Sequence, residues 1–186
     1  YMILYFILFF TLLFILSINY ESFTNNLLNI YGEELKPCRN DNSDNNGSWD
    51  SQGYCSELDG GVHQICFNVN ESTKNFSTDT NQNNWSNQRL GNNHCMCLGA
   101  WSLYKAKQDN NDIPSTNNEL LCESIPEVSL SEEYISKWST WNGHEYDNQI
   151  VNGVNALYEQ CYNKANTKQK KFLKNKYDNL MEKIIN

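Results

Sequence analysis

Five side chains in this sequence are of types that act together: Cys55, His63, Cys66, Cys95 and Cys97, with His94 next to the last pair. Zinc takes four such nitrogen and sulfur ligands in a tetrahedron. The spacings are not those of a zinc finger or ribbon, so metal is a minor expectation and no resident cofactor is expected. A cysteine nucleophile could use His63 as base and Asp59 as orienter, since Asp-x3-His places both near the start of one strand. A histidine beside a core cysteine is more often a packed, hydrogen-bonded residue, so no catalytic residue is assigned. Thiol exchange favours Cys-x-x-Cys at a helix start; Cys95-Met96-Cys97 is Cys-x-Cys, a weaker signal. Trp85, Trp101, Trp138 and Trp141 could line a carbohydrate or peptide surface, but tryptophans more often fill cores.

The other chemistry of cysteine is the bridge. There are seven: Cys38, Cys55, Cys66, Cys95, Cys97, Cys122 and Cys161. In an exported domain they read as a disulfide framework, whose odd count leaves one thiol free or paired with another chain. Spacing does not give the connectivity. Cys95 and Cys97 are poorly placed to join each other, because residues two apart in a strand point the same way at an awkward distance. Four Asn-x-Ser sequons, at Asn46, Asn70, Asn75 and Asn84, are glycosylation candidates, although a chain this rich in asparagine produces such matches by chance.

Location rests on the first 18 residues, YMILYFILFFTLLFILSI, which carry no charge. As a helix they span about 27 Å, close to a thin hydrocarbon core. The run is longer than a signal-peptide core, and Ser17-Ile18-Asn19-Tyr20 is a poor cleavage site. A retained single-pass anchor over residues 1–20 is therefore favoured over a cleaved signal. The flank that follows has no positive excess, which places the domain on the lumenal or extracellular side.

The chain has 186 residues and a formal charge of −8. Residues 167–186 hold six lysines against two acids, so the acid is concentrated in the body. An acidic body repels phosphates, and nucleic acid is not an expected partner. Thirteen per cent aromatic residues argue for a folded core rather than disorder.

The expected order is a linker over 21–31, a cysteine-rich α+β domain over 32–165 and a basic amphipathic helix over 166–186. Residues 62–69 alternate and are rich in β-formers, so they read as a strand. Residues 94–106 read as a strand running into a helix, and 119–125 as a further strand. Ser129-Leu130-Ser131-Glu132 has capping-box spacing and predicts a short helix to about Trp138. Residues 148–163 show helical spacing of apolar residues, and 167–185 carry an apolar stripe opposite lysines. That last helix docks on its own domain, on a partner subunit or on a membrane surface. The fold class is thus α+β: one small disulfide-braced domain with a short mixed or antiparallel sheet, an N-terminal membrane helix and C-terminal helices.

The cysteine-bearing segments resemble the family called domain of unknown function 2237, whose pattern is G-x-P-L-x-P-C, G-x-C, D-x-G-x-H-x-V-C-A and G-D-x-W-C-L-C-A. Here stand Gly32-Glu33-Glu34-Leu35-Lys36-Pro37-Cys38, then Gly53-Tyr54-Cys55. Asp59-Gly60-Gly61-Val62-His63-Gln64-Ile65-Cys66 follows, then Gly91-Asn92-Asn93-His94-Cys95-Met96-Cys97. The resemblance covers about residues 29–137. Asn92 and His94 replace the pattern's Asp and Trp in the Cys-x-Cys block. The resemblance implies a compact α+β domain and brings no established activity. Together these observations predict a membrane-anchored, non-catalytic accessory subunit with protein partners. The alternatives are a thiol- or zinc-dependent enzyme using the Cys/His cluster, and a secreted binding module.

Overall fold

The computed structural model describes residues 27–40, 47–56, 62–116, 118–138 and 147–185. The expected anchor (residues 1–20), Asn46, Asp59 and Trp141 lie outside the described residues. Among the described residues, no helix is long and apolar enough to cross a membrane.

The centre is an antiparallel pair, β1 (Ile65–Asn68) and β2 (Asn93–Met96), with Cys66 opposite Cys95 and Phe67 opposite His94. The sequence locates both strands to within a few residues. Ile65, Cys66, Phe67, Cys95 and Met96 are all buried, so the ribbon is covered on both faces and is too short to stand alone. Between the strands, residues 70–92 wrap one side through α1 (Phe76–Asp79) and a 3-10 turn at Asn87–Arg89. Phe76 packs against Phe67 and Tyr104, with ring centroids 4.7 and 4.9 Å apart.

The strand expected over 119–125 reduces to a single bridge between Leu120 and Phe67 before the chain tightens into a 3-10 turn at Cys122–Ser124. The backbone of this segment bonds β1 on its inner side: Asn68 N–H donates to Glu119 O (2.8 Å) and Leu121 N–H to Cys66 O (3.0 Å). Its outer side meets helix side chains rather than another strand. Leu120 N–H donates to Gln160 Oε1 (2.9 Å), and Lys164 Nζ donates to Leu120 O (2.6 Å). The edge is thereby closed, and the Cys122–Cys161 bridge draws the chain off the ladder.

After β2, Cys97 caps α2 (Leu98–Asp109). A further 3-10 turn (Glu127–Leu130) leads into α3 (Glu132–Ser136), followed by α4 (Asp147–Lys164) and α5 (Thr167–Ile185). The cap of α3 differs from expectation. Ser131, not Ser129, accepts from the Tyr134 N–H at 3.2 Å, because the 3-10 turn occupies the preceding residues and delays the α-helix.

Helix α4 packs across α2 at Gly153. A Cβ there would lie 1.9 Å from Ser102 Oγ and 2.9 Å from Ser102 Cα, so only glycine allows this approach. Buried Trp101 uses the contact, donating its indole N–H to Gly153 O at 2.9 Å. Helix α5 turns back on α4 after two residues. Asn166 and Gln169 form a reciprocal cap, each side-chain oxygen accepting the other's backbone N–H at 2.9 and 3.0 Å. The α5 stripe is used inside the molecule: Leu173 and Leu180 are buried, and Tyr177 stacks on Tyr158 at 3.9 Å. Lys176 and Lys183 reach Glu127 and Glu132 at 3.1 and 3.6 Å.

The domain also begins earlier than residue 32. Ile30 and Tyr31, placed in a linker by the sequence, are buried. Ile30 N–H donates to Ile125 O (2.7 Å), and Tyr31 Oη donates to Cys161 O (2.8 Å).

Candidate functional site

Six of the seven cysteines are paired: Cys38–Cys66, Cys55–Cys95 and Cys122–Cys161, with Cα separations of 5.7, 5.4 and 5.6 Å. These fall within the usual range for a bridge. The odd cysteine that the framework leaves over is Cys97, which is free. Cys97 has left the ladder to become the N-cap of α2, and its sulfur accepts the Ala100 N–H at 3.4 Å. Burial pushes this thiol up, against the lowering pull of the N–H groups at the helix start. A thiol held protonated in this way is a poor nucleophile near neutrality.

The five residues singled out for zinc or catalysis therefore take separate parts. Cys55, Cys66 and Cys95 are closed in bridges, Cys97 caps a helix, and His63 is half-buried ahead of β1. What the structure gathers instead is sulfur. The Sγ atoms of Cys38, Cys55 and Cys95 lie within 4.8 Å of one another, and Cys66 is bonded to Cys38. Cys66 and Cys95 face each other across the strand pair, yet each bonds outward to a loop. Those loops are held together: Gly53, at φ +90°, turns its carbonyl to accept from both Cys38 N–H (2.8 Å) and Arg39 N–H (3.1 Å). Asn93 Nδ2 donates to Cys38 O at 2.7 Å. All four cysteines are fully buried.

A second cluster surrounds His94. The Arg89 guanidinium, which can only donate, lies 2.8 Å from His94 Nδ1. The neutral ring's proton must then sit on Nε2, which faces Ser48 Oγ at 3.4 Å. Ser48 adopts φ +57°, unusual for serine. A serine beside a histidine invites comparison with nucleophilic catalysis, but this tautomer offers Ser48 a proton instead of removing one. Burial, Arg89 and His63 together push His94 down to about 3. The ring lies 4.1 Å from the Trp85 ring, whose other neighbours are Phe76 and Arg89. His94 stands beside the Cys-x-Cys motif in sequence, but nothing in the sequence marked Arg89 or Ser48 as its partners.

A cleft of about 560 Å³ lies between α2 and α4 and is polar. Lys105, Asp109, Glu159 and Gln160 line it. At its base, Lys105 donates to Gln108 Oε1 (2.6 Å) and Thr116 O (3.0 Å) and lies 3.9 Å from buried Glu119. Burial lowers Lys105, and Glu119 opposes the shift. Residues this scattered carry no local motif, so the sequence did not signal the cleft.

Of the tryptophans considered for a binding surface, Trp101 and Trp138 are core residues and Trp85 is half-buried. Among the sequons, Asn75 and Asn84 are exposed. Asn70 is half-buried, and its amide is engaged by Asn68 and Ser72. The sequon serines Ser77 and Ser86 are buried against each other at 2.9 Å.

These features define a small disulfide-braced α+β domain. Comparison with family models, curated proteins and solved structures finds no match.

Proposed function

We propose that the chain is a non-catalytic accessory subunit, anchored through residues 1–20 and presenting its cysteine-rich domain to a lumenal or extracellular space. The observation that carries this reading is the pairing of six cysteines into three bridges, with two of the three fully buried. Bridges of this kind persist in oxidising compartments. The sulfurs best placed for chemistry are thereby occupied, and the free thiol is tied to a helix start. The resemblance to domain of unknown function 2237 belongs to the same proposal; it fits the α+β class and the pairing of its cysteine blocks within one core.

The test is native purification from membranes. Alkaline extraction should leave the protein in the membrane fraction, with its domain shielded from external protease in sealed lumenal vesicles. Mild detergent should release it together with a stoichiometric protein partner. A monodisperse monomer in detergent would overturn the accessory role. Recovery from the medium, with a mature N-terminus beyond about residue 20, would favour the secreted module.

A further inference from the structure

We propose that Cys38, Cys55, Cys66 and Cys95 form a tetrathiolate Zn²⁺ site when reduced, so that one buried cluster has an oxidised two-bridge state and a reduced metal-bound state. The inference stands apart from the accessory reading and uses only the four sulfurs.

The geometry exceeds what two independent staples require. The Cys38 sulfur, from one bridge, lies within 4.8 Å of both sulfurs of the neighbouring Cys55–Cys95 bridge, and Cys66 is bonded to Cys38. A zinc tetrahedron with bonds of about 2.3 Å places its sulfurs about 3.8 Å apart. Small movements would bring the sulfurs of Cys38, Cys55 and Cys95 onto one ion, and opening of the Cys38–Cys66 bridge frees Cys66 to turn in as the fourth ligand. Two ligands come from facing positions of a rigid strand pair, Cys66 on β1 and Cys95 on β2. The other two come from loops that the Gly53 carbonyl already joins. The Cys122–Cys161 bridge stands outside this cluster, and Cys97 is committed to capping α2. His94 follows the opposite face of β2 from its neighbour Cys95, as strand alternation requires.

The redox step balances with a dithiol reductant. Two dithiols supply four electrons and four protons, both S–S bonds break, and the reductants leave as disulfides. The four thiols then release protons as zinc binds them as thiolates, which makes binding pH-dependent.

The experiment uses the full chain in mild detergent, reduced with a phosphine under nitrogen, the phosphine taking an oxygen from water. Co²⁺ is added as the optical probe and Zn²⁺ as competitor. The expected result is one Co²⁺ per chain, with the absorption of a tetrahedral four-thiolate site, displaced by one equivalent of Zn²⁺. A triple variant, Cys97→Ser with Cys122→Ser and Cys161→Ser, should show the same spectrum. Cys66→Ser should lose the four-thiolate band and weaken binding at least tenfold. Circular dichroism of the reduced wild type should show native-like structure with Zn²⁺ and its loss on chelation. No stoichiometric cobalt site, a spectrum unchanged in Cys66→Ser, or a reduced protein that unfolds equally with and without zinc would each overturn the proposal.

Discussion

At the scale of single residues, the most informative side chain is His94. A neutral imidazole held between an arginine and a serine resists protonation on folding. Its folded pKa, about 3, lies below the ordinary 6.5. The unfolded chain therefore binds the extra proton first. The stability this residue contributes is complete above about pH 6.5 and is lost as the pH falls toward 3, at up to about 1.4 kcal/mol per pH unit. Urea unfolding at about pH 7 and about pH 4.5 should show a loss in the wild type that exceeds the loss in His94→Gln by roughly 2 kcal/mol. Equal losses would mean that the ring is solvated. None of this was legible beforehand. His94 drew notice only as a neighbour of the cysteines, because its partners Arg89 and Ser48 lie 5 and 46 positions away on irregular chain.

At the scale of elements, periodicity was a good guide wherever a segment had one partner face. The two long C-terminal helices and the strand-to-helix passage through Cys97 follow directly from apolar spacing. The segment after residue 118 was misread because its apolar residues serve a single bridge on one side and helix side chains on the other. Sequence spacing also could not say what α5 covers; the buried Leu173 and the Tyr158–Tyr177 stack answer that. Leu173→Ala should cost about 2–5 kcal/mol in urea unfolding, as for other buried leucines. A cost under about 0.5 kcal/mol would show that α5 is not docked in solution. The α2–α4 crossing is tested at its tightest point. Gly153→Ala drives a Cβ into Ser102 and should destabilise by about 1–3 kcal/mol, because Ser102 Cα cannot move aside as a side-chain tip can. Thermal melts that match the wild type would contradict the crossing.

At the scale of the whole molecule, the two-stranded ribbon and the five α-helices among the described residues are joined by three bridges that tie loop to strand and turn to helix. The Cys122–Cys161 bridge spans a sequence separation of 39 and fastens α4 to the segment beside β1. Replacing both of its cysteines by serine should cost about 2–4 kcal/mol while leaving the strand-pair bridges intact. The sequence made an oxidised framework legible through the number of cysteines and the uncharged N-terminal run, but the pairing depends on which loops meet the ribbon, and spacing does not encode that.

The most direct test of the framework is a thiol map of the protein isolated from its native compartment. The protein is denatured without reductant, alkylated and digested, and its cross-linked peptides are identified by mass spectrometry. The account predicts one alkylated cysteine per chain, Cys97, and the pairs Cys38–Cys66, Cys55–Cys95 and Cys122–Cys161. Seven alkylated cysteines, or Cys97 recovered within a bridge, would contradict it.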